Sequence, residues 1–201
     1  MKKLIYCWRL ILGGLFFVYF QHQVVCEDKM AETPKFGVSE ERKNIVISEA
    51  SGSKVLFQKP KDSRAIDTVT KTVRNEVIVA FIEKWGVNPG YFFKINAKTG
   101  ETLWEINTPG LNIMEDIAWV DDSTVLGTYQ ARKGSSYVVV DISKKKIITQ
   151  GRCGFFDWVE IKDGKVYRVS QEVDAMGEGK TDENDKPIIK ELKVIYDPEK
   201  K

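Results

Sequence analysis

Three aspartates recur at comparable places along the chain. Asp67, Asp116 and Asp157 each open an apolar run. Asp116-Ile-Ala-Trp-Val-Asp-Asp122 aligns with Asp157-Trp-Val-Glu-Ile-Lys-Asp163, which begins 41 residues later. Two such carboxylates gathered in one pocket would act as an acid/base pair on a glycan, or would ligate a hard cation. The recurrence itself favours a humbler role. Turns repeat, and an aspartate in a turn accepts hydrogen bonds from its own backbone N–H groups, whereas a catalytic pair has no need of a third copy.

Other reactive side chains are scarce. The chain has 3 Cys and one His, His22, in 201 residues. If the first 26 residues are removed as a signal, no histidine remains. Ser-His-Asp and Cys-His catalysis, His-ligated zinc and a His proton shuttle are then excluded. Cys153 reads as a buried thiol without a neighbouring base. The segment 177–187 carries Glu178, Asp182, Glu183, Asn184 and Asp185. These are hard oxygen donors, but their spacing does not fit a calcium loop, and a solvated hairpin tip is the better expectation. No metal or cofactor site is expected.

Aromatic residues offer a second kind of site. Trp85 and Tyr91 flank the turn-forming Asn88-Pro89-Gly90 and would serve a partner or sugar surface if exposed. Phe155, Phe156 and Trp158 cluster beside Cys153, where packing between sheets is the simpler expectation.

The N-terminus sets the compartment. Lys2, Lys3 and Arg9 precede the uncharged run Leu10–Phe20, and Gln21, His22 and Gln23 close it. This basic, apolar, polar order is that of a secretion signal, and eleven apolar residues fall short of the roughly 20 that span a bilayer. Residues 1–26 are thus expected to be a signal peptide, with an uncleaved anchor or a lipoprotein signal ending at Cys26 as alternatives. Cys26, if retained, could instead pair with Cys153. Residues 27–44 are polar and half charged, as in a tether. The expected location is secreted or periplasmic. Without residues 1–26 the charge balance becomes 28 basic against 29 acidic. A basic surface able to grip a nucleic-acid backbone is therefore not expected.

From residue 45 to 201 the chain reads as one all-β domain. Thirteen short runs rich in Val, Ile, Tyr, Phe and Thr alternate with Gly, Asn, Asp and Pro turns, from Ile45–Ser48 to Ile188–Tyr196. Helical patterns between them are missing, which argues against a βαβ fold. The runs fall into antiparallel units of about 40–50 residues that begin near Asp67, Asp116 and Asp157. Each unit's third strand ends in a polar turn, at Asn96, Asp141 and Asp197. That length and strand count suit the blade of a small or partial β-propeller, with an antiparallel barrel or sandwich as the alternative. Ile45–Ser48 or Val55–Gln58 is expected to complete the last unit.

The run Ile95-Asn96-Ala97-Lys98-Thr99-Gly100-Glu101-Thr102-Leu103-Trp104 resembles the blade motif of the pyrroloquinoline-quinone-type (PQQ-like, WD40-like) propellers. Asn96, Gly100 and Trp104 occupy its Asp, Gly and Trp positions. The next unit keeps Asp141 but has Lys145 and Thr149 in place of the Gly and Trp. The resemblance implies that Asn96 and Gly100 shape a turn and that Trp104 packs on a neighbouring sheet. It does not carry the quinone to so short a chain, but it does imply kinship with cofactor-free periplasmic scaffolds. The expected function is an exported, non-catalytic binding or scaffold domain for a protein or small-ligand partner, oligomeric if the propeller is partial. A carboxylate-based hydrolase using Asp67, Asp116 or Asp157 is the alternative.

Overall fold

β-branched and aromatic residues in short alternating runs form strands because they cover a pleated, half-buried surface well. In the computed structural model, residues 35–49, 52–86, 90–111, 113–131 and 134–200 are described. The expected signal peptide, the fate of Cys26 and the first part of the tether lie outside these residues.

The described chain is all-β and folds as four antiparallel meanders, none closed into a barrel. The first sheet holds β1 (Lys35–Val38), β2 (Asn44–Glu49) and β3 (Gly52–Gln58). The second holds β4 (Ser63–Val69), β5 (Val77–Lys84), β6 (Gly90–Asn96) and β7 (Thr102–Asn107). The third holds β8 (Asp116–Asp121), β9 (Thr124–Ala131), β10 (Gly134–Asp141) and β11 (Lys146–Arg152). The fourth holds β12 (Asp157–Lys162), β13 (Lys165–Gln171) and β14 (Ile189–Tyr196), before a 3-10 turn at Pro198–Lys200. No helix among the described residues is long and apolar enough to cross a membrane.

Two expectations change. The tether shortens, because Lys35–Val38 forms β1 and pairs antiparallel with β2 through Phe36↔Ile47 and Val38↔Ile45. Phe36 supplies the apolar anchor that the charges around it conceal in the sequence. The N-terminal strands also do not complete the last sheet. β2 and β3 pair with each other and build a sheet of their own.

The sheets pack face to face in chain order. Phe36, Ile45, Ile47 and Phe57 of the first sheet meet Ile78, Ala80, Ile82, Phe93 and Ile95 of the second. The opposite face of β5, Val77, Val79 and Phe81, meets Ile117, Trp119, Val125, Val138 and Val140 of the third. This two-sided burial explains why β5 reads as an unbroken apolar run. Val120, Leu126, Tyr137 and Val139 on the other side of the third sheet meet Val166 and Tyr196 of the fourth. Among the described residues these three clusters hold the stack together, and none joins the fourth sheet to the first.

Candidate functional site

The three aspartates come to rest against cations, each supplied by a turn or a neighbouring strand. Arg42, in the β1–β2 turn with a φ of 55°, pairs with Asp67 on β4, whose side chain is only 1% exposed. Two bonds dock this turn on β4: the Ile66 N–H donates to the Arg42 carbonyl (2.9 Å), and Arg42 Nε donates to the Ile66 carbonyl (3.2 Å). One junction later the device recurs in looser form, as Lys71 of the β4–β5 turn stands 3.4 Å from Asp116. The fourth sheet keeps its aspartate for itself. Arg168 Nη2 donates to Asp157 Oδ2 at 2.5 Å from the adjacent strand, and the Gly154 N–H donates to the same oxygen at 3.2 Å. Burial works against the charged form of Asp157, yet Arg168, the Gly154 N–H and Ser170 outweigh it and hold the carboxyl below its ordinary range. The positions were legible in the sequence; the partners were not, because Arg42 and Lys71 pair across a sheet junction and Arg168 across a hairpin, neither of which leaves a local spacing.

A second set of polar residues shapes the turns that end the third strands. Asn96 Oδ1 accepts the N–H groups of Lys98 (2.8 Å) and Thr99 (3.0 Å). Asp141 Oδ1 does the same for Ser143 (3.0 Å) and Lys144 (2.9 Å), and Asp197 Oδ1 for Glu199 (3.0 Å). Gly100 lies at a φ of 74°, and a Cβ there would collide with the Leu56 carbonyl of β3, so the turn needs glycine twice over. Trp104 packs, half-buried, on the cluster between the second and third sheets.

Trp85 and Tyr91 part company. Trp85 is 68% exposed, with the Arg64 guanidinium 5.7 Å from its ring. Tyr91 packs on the first–second sheet core beneath Lys84, whose Nζ lies 4.6 Å from the Tyr91 ring and 5.4 Å from that of Phe93. Burial disfavours the Lys84 ammonium, but Glu105 at 2.9 Å and Asp62 at 3.2 Å reverse this and raise its pKa. Lys84 is thus a structural cation that joins two strands and a loop.

Cys153 is buried, and burial pushes its thiol pKa up. That is the reverse of what a nucleophilic thiol requires. The acidic segment folds into two tight turns in which Asp174 Oδ1 accepts Met176 and Glu178 N–H groups and Asp182 Oδ1 accepts those of Asn184 and Lys186. No group of three metal-ligating side chains occurs among the described residues. Phe155 is exposed and meets Phe156 edge to face at 4.7 Å, so this pair is not packed between sheets.

The fourth sheet presents the feature with most binding character. Strand register puts Trp158, Val169 and Leu192 on one face, together with Tyr167, Val194 and Glu160, whose carboxylate accepts from Trp158 Nε1 at 3.3 Å. This face is opposite to the one that meets the third sheet through Val159, Ile161 and Val166. Leu192 is 46% exposed and Val194 42%. Of the twelve exposed large hydrophobic residues among those described, Phe155, Val173, Met176, Ile188, Ile189, Leu192 and Val194 all fall in or beside this sheet. Trp158 also lines a cleft of ≈ 140 Å³ between the third and fourth sheets, with Glu115, Asp116, Tyr129 and Ser135. No protein-family model matches the chain, and no curated protein matches it significantly.

Proposed function

We propose that this chain is an exported, non-catalytic binding or scaffold domain that captures a protein partner on the outer face of its fourth sheet. The observation that carries this reading is the concentration of exposed apolar side chains on and around that face, Leu192 and Val194 above all. A concentration of exposed apolar side chains of this kind marks an interaction site, and aromatic residues such as Trp158 and Tyr167 serve as anchors in such interfaces. Export is supported by the basic, apolar, polar order of residues 1–23.

A glycan hydrolase draws less support. General acid/base cleavage needs two carboxyls about 5–10 Å apart, one of them held protonated. Each recurrent aspartate here is engaged by its own cation, and Arg168 holds the Asp157 carboxyl below its ordinary range, the reverse of what a general acid needs.

A photo-crosslinking residue placed at Tyr167, or at Val46 on the first sheet as a control, tests the reading in the native host. A discrete heterologous adduct from position 167 and none from 46 is the expected result. Equal labelling at both positions, or none at 167, would overturn it. So would release of sugar from a polysaccharide by the purified chain, if Asp116→Asn abolished that release.

A further inference from the structure

The third strands of the second and third sheets are paired on both sides: β6 lies between β5 and β7, and β10 between β9 and β11. β14 holds the same place in the fourth sheet but pairs only with β13. Among the described residues its far edge therefore presents a row of backbone N–H and C=O groups with no ladder partner. Edges of this kind are templates for another strand.

We propose that β14 pairs with β14 of a second copy of this chain, antiparallel and about a two-fold axis at Leu192. The proposal rests on the reading of the fourth sheet as the binding element only in that the dimer would present two copies of its outer face side by side. The argument itself comes from the charges on the strand.

Lys190, Glu191, Leu192, Lys193 and Val194 follow one another along β14. A two-fold centred on Leu192 sets Glu191 opposite the partner's Lys193 and Lys193 opposite the partner's Glu191, with leucine against leucine on the axis. Moving the axis to Glu191 sets glutamate on glutamate, and moving it to Lys193 sets lysine on lysine. Opposite charges directly across a ladder stabilise it and like charges oppose it, so the two nearest registers that keep the pleat are selected against. A slip by a half-integral step places Glu191 opposite Leu192 and turns one copy's apolar face to the other side of the sheet. One register therefore satisfies charge, pleat and apolar face together.

The strand's faces agree with this. Register with β13 puts Leu192 and Val194 on the outer face, with Glu191 and Lys193 on the opposite one. Glu191 and Lys193 are both exposed there, leaving them accessible to a partner strand. Joined at β14, two fourth sheets become a single six-stranded sheet with both sets of Trp158, Tyr167, Leu192 and Val194 on one side. This is an isologous contact, which closes at two copies and does not propagate.

The test is the solution mass of the purified chain by light scattering and sedimentation over a concentration series, with charge variants on β14. The wild type should form a dimer. Glu191→Lys and Lys193→Glu should each weaken dimerisation at least about tenfold, because each puts two like pairs across the ladder. The double variant carrying both changes should restore it, which a variant that merely misfolds would not do. Leu192→Cys should yield a disulfide-linked dimer under mild oxidation, whereas Val55→Cys on the first sheet should not. A monomer throughout the series, a dimer indifferent to Glu191→Lys, or single charge reversals not rescued by the double change would overturn the proposal. Adducts with a foreign protein at Tyr167 report on the partner reading alone, so the two can fail separately.

Discussion

The two end sheets each have three strands and one face packed inward, yet their outer faces differ. On the first sheet that face carries Lys35, Gly37, Val46, Ser48, Ser53 and Val55, by the pairings of β1 and β3 with β2. On the fourth it carries Trp158, Tyr167, Val169, Leu192 and Val194, with Glu160, Lys162, Lys165 and Gln171 among them. The first is the polar cap that a stack of sheets needs where it meets water. The second sets large apolar side chains among its charges, with Leu192 46% and Val194 42% exposed. Stacks of repeated units are kept soluble by polar outer caps. The fourth sheet departs from that rule, and the departure locates the proposed binding function.

The junctions behind these faces differ as well, and the difference gives the largest expected effect. Arg42 answers a carboxylate that is almost wholly buried, Asp67. Arg42→Met should cost about 3 kcal/mol, the lower end for an orphaned buried charge because Arg42 itself is half exposed. Melting would then fall by about 6–12 °C. A loss below 1 kcal/mol in chemical denaturation would show that water reaches Asp67.

The fourth sheet is fastened differently. The Tyr196 hydroxyl donates to Asp121 Oδ2 at 3.0 Å and lies 3.0 Å from Thr124 Oγ1, both on the third sheet. Tyr196→Phe should cost about 1–2 kcal/mol, as removal of a buried hydrogen-bonded hydroxyl does. Denaturation curves would show it, and an unchanged midpoint would mean that apolar packing alone holds this junction.

Asp157 and Arg168 give an effect of about 1 kcal/mol at neutral pH. The folded pKa of Asp157 lies below its ordinary value of 3.8, so its stabilising contribution is present above that value and is lost as pH falls through the folded pKa. Melting of the wild type and of Asp157→Asn should therefore differ at pH 6–7 and converge as pH falls through the folded pKa, below 3.8. A gap that persisted at low pH would assign the effect to something other than the charge.

The smallest effect sharpens the contrast between the faces. Val55→Lys on the first sheet should change stability by less than about 0.5 kcal/mol, as exposed substitutions do. It should also leave the binding of an apolar dye unchanged. Leu192→Lys should alter stability little more but should reduce dye fluorescence markedly. Equal responses from the two variants would erase the distinction between the faces.

Much of this was legible beforehand. The thirteen expected strands coincide in place with β2 to β14, because each sheet is a meander whose turns carry their own signals, as at Asn96, Asp141 and Asp197. β1 carries little strand signal because Lys35-Phe36-Gly37-Val38 has one large apolar residue and glycine within it; its pairing is decided by the cluster that Phe36 enters. The aspartates were visible but their cations were not, since Arg42 and Asp67 belong to different sheets. Exposure was hardest to read. Leu192 and Val194 have the same pattern as buried strand residues, and they meet water because no sheet among the described residues packs on that face.

The serial packing of the sheets has a consequence for how the chain reaches its native state. Every meander closes on strands that lie next to each other in sequence, so each can form once its own residues are free of the ribosome. Growth from the first sheet onward would extend a core already in place, with no long wait for a distant strand. The last contact to close is then the latch between Tyr196 and Asp121, which fastens the fourth sheet to a scaffold already built.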